Sequence, residues 1–202
     1  IVLEFPTIWA ANADEYINKG LEINDRFRDE ALISTAFAPH APYTVSDGPL
    51  EKIRSFAHEM DIPVTMHVHE TAHEVDEAVA KTGMRPLQRL NELGLLNPSL
   101  LAVHMTQLQP AEIDMLANSG SHVVHCPESN LKLASGFCPA ATLAAAGIKR
   151  RPADDLADRV GGREALRATA RQRLSTRPAA GTNTVIVAHG QAQVIDTIDG
   201  VP

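Results

Sequence analysis

The sequence predicts an α/β protein: a partial TIM-type (β/α) barrel of about five parallel strands with helices, plus a short α/β tail. Three observations carry that expectation. Short apolar runs rich in β-branched residues alternate with stretches of helical periodicity, histidines stand at four successive strand ends, and charge balance and aromatic content both change near Ile148.

The elements follow in order. Ile1 to Phe5 reads as the first strand, and Asp14 to Arg28 places apolar residues at helical spacing. Ile33 to Ala38 is the second strand, and the helix Pro49 to Met60 follows a Ser46-Asp47-Gly48 start. Pro63 to Val68 is the third strand, after which the helical stretch His73 to Leu95 breaks at Gly83 and again at Gly94. Leu100 to His104 and His122 to His125 complete the strands. The helices Pro110 to Asn118 and Pro139 to Ala146 each carry Pro in the first turn and Gly just beyond the end. Such alternation implies a parallel sheet with right-handed crossovers. A closed barrel needs eight strands, typically about 250 residues, so five strands leave open edges through which self-association is expected.

Composition divides the chain. Of its 18 Lys and Arg, nine lie from Lys149 onward, against six acidic residues there, and all eight aromatics lie at or before Phe137. Residues 1–148 are therefore expected as the barrel-like domain. Residues 149–202 are expected as an unrelated Arg-rich tail, with a helix around Glu164 to Arg173 and a strand at Thr184 to Ala188, packing poorly for want of aromatic anchors. The net charge of -7 excludes a nucleic-acid partner, since phosphate backbones call for a basic surface. No apolar run approaches the roughly 20 residues that span a bilayer, and no basic-then-apolar leader is visible. A cytoplasmic protein without a membrane partner is expected, and the opening at Ile1 reads as a start inside an element. Cys126 and Cys138 are too few for a disulfide framework or a four-cysteine zinc site.

The chemistry-bearing residues gather where parallel α/β sheets hold their sites, at the carboxyl ends of strands. They are His40 after the second strand, His67-Val68-His69-Glu70 at the third, His104 at the fourth and His125 at the fifth. A lone histidine is commonly structural, whereas four in corresponding positions point to metal binding or proton transfer. His67 and His69, two apart on a strand, are expected on one side. Glu70 falls on the other side unless the chain turns there. A carboxylate beside metal-bound water can take its proton and pass it on, and His104 can ligate the metal or orient the hydroxide. Strand-end histidines also serve isomerases and aldolases of this fold.

The wording of these segments narrows the choice. Ala38-Pro39-His40-Ala41-Pro42-Tyr43-Thr44-Val45-Ser46, His67-Val68-His69-Glu70-Thr71, Val103-His104 and the run from His125-Cys126-Pro127-Glu128-Ser129-Asn130 to Gly136 closely resemble the amidohydrolase superfamily. Within it they look most like the 5-methylthioadenosine/S-adenosylhomocysteine deaminases and the related chlorohydrolase-type enzymes. The resemblance covers residues 1–148. It implies His67 as a metal ligand, Glu70 as the proton shuttle and His104 as the group that positions the hydroxide. It also implies His40, Ser129 and Asn130 at the substrate, with His69 in a supporting or pocket-lining place. The implied cofactor is zinc or another divalent metal such as iron, and the implied partner is a small purine nucleoside that is hydrolytically deaminated.

The departures bear on activity. Family members carry a His-x-His pair at the end of strand one and an Asp in a Gly-Thr-Asp-Gly-like segment at the end of strand eight. Neither motif is present. Asp154 and Asp155 stand in a polar stretch where no strand is expected, so no metal role is carried to them. A weakly held metal, substoichiometric after dialysis, and background turnover are the expectation. The tail around Leu166 to Gly190 resembles late elements of the histidine phosphatase superfamily, with His189 as the implied phosphate-binding residue, but its nucleophile motif Arg-His-Gly is missing. A histidine-phosphatase-like phosphoryl hydrolase and a non-catalytic binding or assembly fragment are the alternatives.

Overall fold

The computed structural model describes residues 1–30 and 32–148, with the backbone of 150–152. The expected tail helix and strand, His189, Asp154 and Asp155 lie outside the described residues.

Four strands form one parallel sheet in chain order: β1 (Val64–Val68), β2 (Leu100–His104), β3 (His122–His125) and β4 (Arg150–Pro152). Val64 pairs with Leu100 and Val68 with His104 across β1 and β2, Leu101 pairs with His122, and Val123 pairs with Arg150. Beyond β1 the sheet continues as single parallel bridges, Phe37 with Val64 and Val2 with Pro39. The five segments expected as strands thus lie side by side in sequence order, the architecture of a partial (β/α) barrel. The first two are reduced to bridges, in part because Pro39 has no N–H to donate to a longer ladder.

Two features depart from expectation. β4 supplies a strand immediately ahead of Asp154, where none was expected. Main-chain pairing with β3 requires no apolar side chains, so the polar Arg-Arg-Pro run hid it from a reading based on patterning. The segment after β3, to which no helix was assigned from the sequence, contains the short helix α6 (Pro127–Lys132), started by Pro127 in its first turn.

The remaining helices are α1 (Ala13–Arg26), α2 (Asp47–Met60), α3 (Ala72–Thr82), α4 (Pro86–Glu92), α5 (Pro110–Ser119) and α7 (Ala140–Ala145). Asn12 caps α1 by accepting from the Glu15 amide at 3.0 Å, and Thr71 caps α3 by accepting from the Glu74 amide at 3.1 Å. The stretch expected from His73 to Leu95 resolves into α3 and α4 because Gly83 ends α3 at φ 74, a left-handed conformation that costs a glycine little. Among the described residues no helix is long and apolar enough to cross a membrane.

Alternation along the strands sorts their side chains. Val64, Met66 and Val68 of β1 and Leu100 and Ala102 of β2 join Leu50, Ile53, Leu87, Leu90 and Leu116 in the main core. Val103, Val124 and Cys126 cluster separately, which puts odd-numbered β2 residues on the opposite, barrel-facing side. Leu100 is completely buried at the start of the central strand. Leu100→Ala is expected to destabilise the chain by about 2–5 kcal/mol through lost burial and a residual cavity, read as a lowered midpoint in urea unfolding. A loss below about 1 kcal/mol would mean that this layer can collapse around the gap.

Candidate active site at the strand ends

Regular strands cannot place consecutive residues on one face, and the site depends on breaking that rule. At the end of β1, His69 adopts φ 53, and at the end of β2, His104 and Met105 adopt φ 78 and 52. Each is a left-handed conformation that L-residues other than glycine adopt at a cost. The phase of alternation changes at these points. Met105 enters the main core where an even-numbered residue would have gone, and His104 turns to the barrel side. His69 turns away from that side, and Glu70 turns into it.

The result is a row of rings. His40 stands 5.1 Å from His67 between ring centroids, nearly perpendicular, and His67 stands 5.3 Å from His104. The Glu70 carboxylate approaches His104, Oε1 to Nε2, at 3.4 Å, on the ring that neighbours His67. His104 is completely buried, and its Nδ1 is 2.8 Å from Asn130 Oδ1. A carbonyl oxygen accepts, so Nδ1 carries a proton in this arrangement. Asn130, expected to line the pocket, is buried behind His104 and orients its ring. Ser129 is buried one residue earlier on α6. Thr44 gives its hydroxyl proton to the Ala41 carbonyl and lies 3.1 Å from His40 Nδ1. Thr44 thereby fixes the Nδ1 edge of the His40 ring and leaves Nε2 as the other edge. Tyr43 meets the His40 ring edge-on at 6.0 Å.

His69 belongs to a different environment. Its side chain is fully buried, with Nε2 accepting from the Leu87 amide at 3.2 Å. Burial lowers its pKa to about 4. Glu112 Oε1 is 3.7 Å from the same nitrogen, but a neutral ring with its lone pair toward an N–H makes no ion pair there. Glu112 is engaged instead by Arg85, Nε to Oε1 at 2.8 Å and Nη2 to Oε2 at 2.9 Å, a two-pronged contact in a nearly buried setting. The expectation that His67 and His69 share one side is corrected by the left-handed turn at His69. Its ring supports the site from the helix layer.

Sequence reasoning missed two residues at this site. The Glu74 carboxylate accepts from the amides of His69 at 3.1 Å and Glu70 at 2.8 Å. Thr106 Oγ1 lies 3.0 Å from the His69 carbonyl and 2.8 Å from that of Glu70. Gln107 Nε2 donates to the same hydroxyl at 2.9 Å and to the Ser135 carbonyl at 2.8 Å. Gly136, at φ 113, lies so close that an added Cβ would stand 2.8 Å from that nitrogen. The Thr71-x-x-Glu74 spacing was a signal, since it is that of a capping box. Thr106 left no sequence signal.

Among the described residues no group of three or more His, Cys, Asp or Glu is placed to hold a metal ion. The donor chemistry of His67 and His104 suits a transition metal, but the described residues make at most part of such a site.

Residues 4–161 match the amidohydrolase family, a span that runs past the boundary expected at 148. The chain is 54% identical over 142 residues to the 5-methylthioadenosine/S-adenosylhomocysteine deaminase of Saccharophagus degradans, covering 70% of this chain and 32% of that protein. It is similar to the crystal structure of an adenosine deaminase from Xanthomonas campestris with bound zinc, at a TM-score of 0.74 and 56% identity, covering 76% of this chain and 35% of the other. The fold extends to the zinc-complexed atrazine chlorohydrolase TrzN of Arthrobacter aurescens, at a TM-score of 0.67 and 19% identity, covering 74% and 34%. The chain spans about a third of the length of these proteins.

The buried His69 makes stability depend on pH. Folded, its ring stays neutral down to about 4, while unfolded it takes up a proton near 6.5. The stabilisation is therefore complete above 6.5 and is lost as pH falls from there towards 4, by about 3 kcal/mol in all. Urea unfolding of the chain and of His69→Gln, at about pH 7 and about pH 5, is expected to show the smaller pH dependence in the variant. An equal dependence would place the proton uptake on another group.

Proposed function

The chain belongs to the amidohydrolase family, and from that premise we propose that it carries the strand-end chemistry of a zinc-dependent aminohydrolase acting on adenosine thioethers, methylthioadenosine or S-adenosylhomocysteine. The observation that supports this reading is the approach of Glu70 to His104 in line with His67 and His40. A carboxylate and three imidazoles stand together at the strand ends of a partial barrel. The substrate class rests on the names of the close relatives, a 5-methylthioadenosine/S-adenosylhomocysteine deaminase and an adenosine deaminase.

In this reading His67 would be one ligand of a zinc ion, whose chemistry when bound would be to acidify a water. Glu70, one-fifth exposed and 3.4 Å from His104, takes a proton at its carboxylate and delivers it to the departing amine, a role that typically contributes 10²–10⁴-fold. His104, its ring oriented by Asn130, would position that water beside Glu70. His40, its Nδ1 edge held by Thr44, would present its other ring nitrogen to the substrate. Burial of His104 and Asn130 keeps bulk water from competing for these contacts.

The test supplies zinc in excess and follows ammonia release from methylthioadenosine and S-adenosylhomocysteine. Glu70→Gln is expected to lower release at least about 100-fold, and His67→Ala to weaken zinc binding at least about tenfold. Release that survives Glu70→Gln overturns the deaminase reading, and background release from both nucleosides even with zinc in excess favours the non-catalytic fragment in its place. Unchanged zinc affinity in His67→Ala removes that residue from the metal.

A further inference from the structure

We propose that Glu74 and Thr106 are positioning residues that together hold the left-handed strand exit at His69 and so deliver the Glu70 side chain to His104. The inference rests on the reading of Glu70 as the proton carrier for its functional meaning, but its geometry stands independently of that reading.

The argument begins with hydrogen-bond supply at the end of β1. Residues 69 and 70 leave the ladder, so their two amides and two carbonyls need other partners. All four have them, from two side chains and one amide. Glu74 spends both carboxylate oxygens on the consecutive amides, one each. The Thr106 amide donates to the His69 carbonyl at 3.0 Å, and the Thr106 hydroxyl proton lies within reach of the carbonyls of Glu70 at 2.8 Å, His69 at 3.0 Å and Ser135 at 3.1 Å, the last of which Gln107 also serves. The hydroxyl can donate there because its acceptor side is occupied by Gln107. A turn so completely held retains a conformation that would otherwise relax to the β region.

Capping alone does not explain Glu74. In a capping box its carboxylate would reach the amide of Thr71, the N-cap residue; here both oxygens pass over it to the two residues before. The carboxylate is buried, and burial raises its pKa against the opposing pull of those amides. A surface cap would not carry that cost. The grip also explains why alternation shifts by one residue at His69 rather than later. With His69 in the left-handed region its ring goes to Leu87 and Arg85, and Glu70 becomes the next barrel-facing residue.

The proposal is tested by NMR on the full chain with Glu74→Gln, Thr106→Val and Thr106→Ser. The Glu74→Gln change sets an NH2 group against one of the two amides, valine keeps the shape of threonine without the hydroxyl, and serine restores it. The expected result is a nuclear Overhauser contact between the Glu70 side chain and the His104 ring in the wild type and Thr106→Ser, lost in Glu74→Gln and Thr106→Val. In Glu74→Gln the Glu70 amide should exchange at least about tenfold faster, while the amide of Ala102 in β2 keeps its protection. If Glu74→Gln does not fold, the valine and serine pair decides by the contact alone. Retention of the contact in Thr106→Val, or its loss in Thr106→Ser, overturns the proposal. No readout uses zinc or turnover, so a negative ammonia assay counts against the deaminase reading and leaves this one standing.

Discussion

A β-strand distributes its side chains with a period of two, and that constraint governs everything at the carboxyl end of this sheet. His67 lies in phase with the barrel side of β1, whereas Glu70 and His104 lie out of phase with it. Bringing the three together requires a change of phase at two neighbouring strand ends, and the chain achieves it with left-handed backbone at His69 and at His104–Met105. The change serves both faces at once. When His104 leaves the helix-facing side, Met105 takes its place in the core with no exposed surface. Core packing and site assembly are therefore two outcomes of the same backbone turn.

Beneath the turn lies a polar layer unusual for its burial. Glu74, Glu112 and His69 are each almost wholly removed from water, and each is matched to donors or acceptors. Arg85 grips Glu112, Glu112 also accepts from the Gln109 amide at 2.9 Å, and the Leu87 amide meets the His69 ring. A buried network whose two carboxylates are engaged by donors favours one arrangement of its surroundings, because an alternative leaves a desolvated charge unpaired. Its position, directly below the exits of β1 and β2, makes the rigidity local to the site.

The sequence revealed the sheet's order and most of the helices because those follow from apolar spacing and from turn chemistry at Gly83, Gly94 and Gly120. Strand-end position singled out His40, His67, Glu70 and His104, and a resemblance in wording narrowed what they do. Strand-end position alone left several chemistries open. His69 was misplaced because a period-two argument assumes a regular strand, and nothing in the letters His-Val-His-Glu announces a positive φ. β4 was hidden for a related reason: its pairing is made by the backbone, and Arg150, Arg151 and Pro152 carry no strand-like pattern. Asn130 was identified, but its burial behind a histidine depends on the unforeseen helix α6. Glu74 had a visible motif whose usual meaning is a helix start, and its reach to residues 69 and 70 is a tertiary fact. Thr106 is a single residue whose three carbonyl neighbours come from two other loops.

Gly136 extends the same logic into heritable change. It lies on the loop after β3, far along the chain from β1, yet a side chain there would push Gln107 from the Thr106 hydroxyl. The backbone at φ 113 independently disfavours any other residue. Variation at 136 is thus tied to 107 and 106, and through them to the orientation of Glu70. A side chain at 136 would meet the end of the Gln107 side chain, so its first cost falls on the hydrogen bond from Gln107 to Thr106. For recombination between relatives, the loop after β3 and the exits of β1 and β2 form one inheritable block, and a crossover point placed between them would separate residues that function only as a set.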